Sequence, residues 1–213
     1  MKTKDTIMIR IQELFREEKR NYLLILLLFL LGLLLGCVAA ASSKPEAVGE
    51  LKNYFDRFFS VLMLQGSVKS EAFLLSLMSH FFFAFWLWVC GWSVWSLPVG
   101  FLQVFLKGFR TGFTLTCLCL CYRLKGVLFT LIAILPQQLL LLPVICVYLV
   151  SQIHFARDRS CLRRGIMSPE LKRQVYGHHI LMTGLFLSFL FIISLMEGYV
   201  TPTLLQPLCN FFL

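Results

Sequence analysis

The sequence predicts an all-α protein, a polytopic membrane helix bundle of about five transmembrane helices accompanied by amphipathic interfacial helices. Three observations carry this. Of 213 residues, 58% are hydrophobic and 15% charged, with a mean hydropathy of +0.78. Soluble domains have about 45–50% apolar and about 25% charged residues. The apolar excess lies in runs near the roughly 20 residues that cross about 30 Å of hydrocarbon. The charges, 20 Lys and Arg against 11 Asp and Glu, fall mainly in the gaps between those runs. The net +9 therefore reads as membrane topology, and no nucleic acid is expected as a partner. The length allows one bundle without a sizeable second domain, and soluble catalysis in a water-filled cleft is excluded.

Residues 1–21 form the predicted cytoplasmic amphipathic segment. Ile7, Ile11, Leu14 and Phe15 recur at helical spacing, with Arg10, Glu13, Arg16 and Glu17 on other faces. This pattern suits a short helix lying on the membrane. The first span is Tyr22 to Ala41, 20 uncharged residues. Its end, Val38-Ala39-Ala40-Ala41-Ser42, resembles a secretory cleavage region, and Leu35-Gly36-Cys37 partly resembles a lipoprotein box. The acidic residues Asp5, Glu13, Glu17 and Glu18 before a long apolar run favour an uncleaved signal anchor instead.

An outer amphipathic helix is predicted at residues 49–65. Leu51, Tyr54, Phe55, Phe58, Phe59 and Leu62 make its apolar stripe, with Lys52, Asp56 and Arg57 off it. Such a helix caps the bundle at the interface, or offers a docking surface outside the membrane. The second span, Ala72 to Leu97, holds His80 and then Trp86, Trp88, Trp92 and Trp95, rings favoured near an interface. In the third run, Val99 to Tyr122, Lys107 and Arg110 interrupt the apolar sequence. Its membrane core is therefore expected nearer Thr111 to Tyr122, with both bases in the preceding turn. The fourth span, Gly126 to Val150, contains Pro136, Gln137, Gln138 and Pro143. The fifth, His179 to Val200, is uncharged until Glu197. The integral bundle thus covers 22–200, and residues 201–213 form an extracytoplasmic tail.

Five spans place the termini on opposite sides, and the positive-inside rule selects the orientation. With the N-terminus cytoplasmic, the inner segments carry 14 of the 20 Lys and Arg. The basic segment with Arg157, Arg159, Arg163, Arg164, Lys172 and Arg173 then lies beside anionic lipid and is too short for an independent domain.

Chemistry-bearing patterns are sparse. The eight cysteines include no CxxC pair, and the two-residue spacing of Cys117, Cys119 and Cys121 turns each thiol about 200° from the next on a helix. They read as small apolar fillers. His80, His178 and His179 belong to no HExxH motif and to no recognisable Ser/His/Asp set. No catalytic residue, metal or cofactor is expected. Gly32 with Gly36, and Gly108 with Gly112, make GxxxG pairs, and Gly184 with Ser188 a looser one. Small residues at this spacing permit close backbone contact, within the bundle or in a homodimer. Pro136 and Pro143 each remove a backbone donor. Gln137 and Gln138 can satisfy the freed carbonyls, or line a polar cavity. Glu197 is expected near the outer end of its span, solvated, paired with Arg123 or Lys125, or turned toward the glutamines.

Three segments together resemble the stage II sporulation protein M family. Leu135-Pro136-Gln137-Gln138-Leu139-Leu140-Leu141-Leu142-Pro143 is similar to its PQN-then-Pro element, with Gln138 where Asn is usual. Lys107-Gly108-Phe109-Arg110-Thr111-Gly112-Phe113 resembles its KGxxxGF element, and Glu197-Gly198-Tyr199-Val200-Thr201-Pro202 its closing ExYxxP. The resemblance implies a mother-cell membrane protein needed for septal thinning and forespore engulfment. It would anchor stage II sporulation proteins D and P, the cell-wall hydrolases, and carry no active site itself. Packing or partner contacts would then fall to Gly108, Gly112, Pro136, Gln137, Gln138, Pro143, Glu197, Tyr54, Phe55 and Phe58. A second possibility is a transport or channel component built on a broken fourth helix.

Overall fold

The computed structural model describes residues 2–64, 68–163, 169–200 and 203. Its helices are α1 (Lys2–Ala41), α2 (Pro45–Leu64), α3 (Val68–Cys90), α4 (Leu97–Tyr122), α5 (Leu124–Phe129), α6 (Leu135–Arg163) and α7 (Pro169–Leu195). The described residues contain no strand. Five helical segments are long and apolar enough to cross a membrane: Lys19–Ala41, Phe73–Cys90, Val94–Tyr122, Leu135–Leu162 and Lys172–Val200. The protein is an all-α, multi-pass membrane bundle.

The largest contact joins α1 and α4, and its cause is visible in the glycines. A Cβ on Gly32 would fall 2.2 Å from the Phe105 carbonyl oxygen, and one on Gly36 2.1 Å from that of Phe109. Reciprocally, a Cβ on Gly108 would fall 2.2 Å from the Phe29 oxygen, and one on Gly112 2.1 Å from that of Leu33. Only hydrogen fits at these four positions. The two GxxxG motifs therefore meet within one chain, in parallel, backbone on backbone. Gly184, by contrast, has nothing within 4 Å of the place a Cβ would occupy, and Ser188 bonds back to the Gly184 carbonyl.

This register corrects the depth expected for α4. Gly108 and Gly112 lie against Phe29 and Leu33, in the middle of the Lys19–Ala41 span. Lys107 and Arg110 are thus at membrane depth and not in a turn. The actual link from α3 to α4 is the short stretch Gly91–Ser96, holding Trp92 and Trp95. There the Ser96 hydroxyl donates to the Cys90 carbonyl at 2.8 Å and to that of Ser93 at 2.7 Å. Pro98, in the first turn of α4, lacks an N–H that would be unpaired there anyway.

At the other end, Arg123 takes a φ of 51° and its N–H donates to the Cys119 carbonyl at 2.8 Å. The chain then folds back so tightly that a Cβ on Gly126 would meet the Leu118 oxygen at 2.1 Å. A wide π-turn, Thr130–Ile134, leads into α6. That turn immediately precedes Pro136, whose ring would otherwise clash with the carbonyl four residues back. From there α6 continues unbroken past Pro143 to Arg163, so the fourth helix is widened rather than broken. It is also the most deeply packed span. Leu141, Ile145 and Leu149 anchor the core with Ile25 and Phe29 of α1, Leu87 of α3 and Phe186 of α7. The Tyr148 ring stacks on Phe186 at 3.9 Å between centroids.

One segment outside the core differs from expectation. Residues 2–21 continue α1 without interruption and form no separate surface helix. The basic segment around Arg157 and Lys172 is largely helical, as the extensions of α6 and α7. Helix α2 spans Pro45–Leu64 and rests on α4. The Tyr122 hydroxyl donates to Asp56 at 2.6 Å, which fixes that contact.

Gly108→Ala should destabilise the protein by about 1–3 kcal/mol, because the facing backbone cannot yield to a methyl group. Gly184→Ala should leave stability unchanged or slightly raised. Unfolding of both variants in mixed micelles checks the contrast.

Candidate functional site

A polar cluster lies inside the bundle where α3, α4 and the end of α7 meet. Ser76 and His80 are four residues apart on α3 and so share one face. A second π-turn, Met196–Val200, ends the fifth span and carries Glu197. The turn can close against α3 because residue 198 is glycine. A Cβ there would lie 2.5 Å from that of Phe73, whose ring also packs on Phe191 and Tyr199. The Ser76 hydroxyl donates to Glu197 Oε2. His80 Nε2 stands 3.5 Å from Glu197 Oε1, close enough for an ion pair when the imidazole is protonated but too long for a hydrogen bond. The Lys107 ammonium attracts the same carboxylate and lies 5.9 Å from the Phe83 ring centroid.

The cluster is well below the membrane surface. His80 lies ten residues above Cys90, which packs on Gly100 near the start of α4. That separation is about 15 Å along a helix. A single ionised group at this depth costs about 2.5–3.5 kcal/mol on insertion scales. The attraction between Lys107 and Glu197 offsets part of that cost, and the Ser76 hydroxyl replaces water at one carboxylate oxygen.

The order of the three groups differs from that of a Ser-His-acid triad. In a Ser-His-acid triad the histidine bridges serine and acid. Here the acid stands between the other two, and the Ser76 hydroxyl meets the carboxylate rather than the imidazole. Among the described residues, no group of three His, Cys, Asp or Glu side chains could hold a metal ion. The arrangement can store charge, hold a proton and lock three helices together.

The residues singled out from the sequence are distributed over the molecule. Gly108 and Gly112 form the α1–α4 contact. Glu197 belongs to the cluster, where it faces Ser76, His80 and Lys107 rather than Arg123, Lys125 or the glutamines. Pro136 and Pro143 are exposed on the outer surface of α6, and Gln137 and Gln138 are half-buried. On α2, Leu51 and Phe55 are half-buried whereas Tyr54 is 66% exposed. The Phe58 side chain, like those of Phe59 and Leu62, lies outside the described residues. Ser76, His80 and Lys107 do not stand out as a site in the sequence. Their only signal there is a Ser and a His four apart in one apolar run and a Lys within another.

Glu197→Gln should destabilise the protein by about 2–3 kcal/mol, since it leaves Lys107 uncompensated at membrane depth. Adding Lys107→Met should recover most of that loss. A double-mutant cycle on thermal unfolding in detergent measures the coupling, and additive losses would show that the two side chains act independently.

No curated protein and no solved structure matches the chain. A family model, stage II sporulation protein M, matches residues 25–202. The match runs from the first span to the closing Glu197–Pro202 segment and includes both GxxxG motifs and the proline-flanked glutamines. The chain accordingly belongs to the stage II sporulation protein M family and is a sporulation-related, multi-pass membrane protein.

Proposed function

We propose that the protein is a membrane scaffold for the peptidoglycan-hydrolase complex of septal thinning and forespore engulfment, holding stage II sporulation proteins D and P at the mother-cell membrane. The observation that carries this reading is Arg110. It is exposed on α4, thirteen residues from Leu97 and twelve from Tyr122. Either end is therefore roughly 18–20 Å away along the helix, while an arginine reaches little more than one turn of about 5.4 Å. Among the described residues no acid forms a salt bridge with it. A permanent charge in that position calls for a counter-charge from outside the chain, such as a partner helix carrying a carboxylate. Catalysis then belongs to the partners, consistent with an interior whose acid is committed to Ser76, His80 and Lys107.

The distribution of basic residues supports a cytoplasmic N-terminus. Parallel α1 and α4 and antiparallel α6 bring residues 2–21, 151–163 and 169–178, with eleven Lys and Arg, to one end of the bundle. The opposite end, including α2, carries six and faces the cell wall in this orientation.

The charged cluster at membrane depth favours a second reading, proton-coupled transport. The clefts beside α6 favour the scaffold: the one of about 290 Å³ at Pro143 is walled by Val147, Met182, Leu185 and Phe189. Proton flux into proteoliposomes that is abolished by Glu197→Gln would favour transport.

Deletion should block engulfment, and detergent extracts should co-purify both hydrolases. Arg110→Leu should reduce their recovery about tenfold, the equivalent of about 1.4 kcal/mol, without loss of the folded protein. Undiminished recovery would overturn the role of Arg110, and normal hydrolase localisation after deletion would overturn the scaffold. An impermeant maleimide should label Cys209, which lies outside the described residues, but not Cys161; the reverse pattern inverts the orientation.

A further inference from the structure

The basic end of the bundle contains a cleft of about 560 Å³ between the α3–α4 link and the last turns of α6. Trp92, Ser93 and Trp95 line one side, and Arg157, Arg159 and Ser160 the other. Arg159 is held in place twice. Its Nη1 donates to the Trp92 carbonyl at 2.9 Å, and its guanidinium carbon lies 4.2 Å from the Trp92 ring centroid. A guanidinium has five N–H donors, so a partner that accepts several hydrogen bonds can still be served. Asp158, between the two arginines in sequence, lines a different cleft, with His154 and His178.

Depth identifies the kind of ligand. Gln152, fully buried against Gly91, marks where α6 passes the end of α3. Arg159 lies two turns further on, near the end of the Leu135–Leu162 span. Trp95 is 91% exposed and Trp92 41% exposed, a placement favoured for indoles at a membrane interface. The cleft therefore combines cations and hydroxyls at headgroup level with an apolar rim toward the hydrocarbon.

We propose that this cleft binds the phosphodiester headgroup of an anionic phospholipid. Arg159 and Arg157 contact the phosphate, Ser93 and Ser160 the remaining headgroup oxygens, and Trp95 the first methylenes of an acyl chain. Free inorganic phosphate shares the anion chemistry but makes no use of the exposed indole. This lipid site is independent of the scaffold reading.

The test is native mass spectrometry of the full-length protein in detergent, equilibrated with equimolar phosphatidylglycerol and phosphatidylcholine. Phosphatidylglycerol should be retained about fivefold more, and Arg159→Gln and Arg157→Gln should each lower its occupancy about fivefold, the factor carried by one basic residue beside an anionic surface. Lys44→Gln, at the opposite end, should have no effect. If Arg159→Gln fails to fold, Arg157→Gln carries the test, because the Arg157 side chain is exposed. Equal retention of the two lipids, or unchanged occupancy in Arg157→Gln, overturns the proposal. Displacement of phosphatidylglycerol by millimolar inorganic phosphate assigns the cleft to a soluble anion and overturns the lipid assignment.

Discussion

Lipid offers no hydrophobic force to press one apolar helix against another, so a membrane bundle depends on close packing and on satisfied polar groups. In this protein the requirement is met first at four glycines. Gly32, Gly36, Gly108 and Gly112 let the α1 and α4 backbones touch, each glycine against a carbonyl of the other helix. The contact leaves one register available to α4. That register places Lys107 opposite the centre of the first span, where a lone ammonium would be costly. The remaining polar architecture of the interior follows from it.

Glu197 supplies the counter-charge only because the last turn of the fifth span widens and Gly198 lets it press onto Phe73. Ser76 and His80 then hold the carboxylate from α3. A second wide turn, before Pro136, serves a different end: it absorbs the missing donor and the steric demand of the proline without breaking the helix. Both departures from regular α-helix thus solve local problems of packing in a medium where backbone groups have no water to turn to.

These solutions leave a particular division of labour. The interior acid is engaged with Ser76, His80 and Lys107, and the cleft at Pro143 is largely apolar. Arg110 and the cleft around Arg159 face outward, one at membrane depth and the other at headgroup level. A molecule built in this way is suited to organising its surroundings: lipid at its basic end, and other helices along α4. That is the physical sense in which the scaffold we propose leaves catalysis to its partners.

The helical class, the count of five spans and the family were all legible from the chain alone, because membrane thickness imposes a length on every apolar run and because the Lys107–Phe113, Leu135–Pro143 and Glu197–Pro202 segments are distinctive in combination. The two GxxxG motifs were equally plain, but whether they met within one chain or between two was open, since spacing along a helix says nothing about what faces it. The depth of Lys107 and Arg110 escaped sequence reasoning for a related reason. A local rule moves charges out of hydrocarbon, whereas the fold keeps Lys107 inside by bringing an acid from 90 residues away. The cluster of Ser76, His80, Lys107 and Glu197 joins three spans, and beyond the four-residue step from Ser76 to His80 no sequence spacing marks it. Only the α1–α4 backbone contact and the wide turn of the fifth span decide that Glu197 meets Ser76 and His80 on the side where it also attracts Lys107.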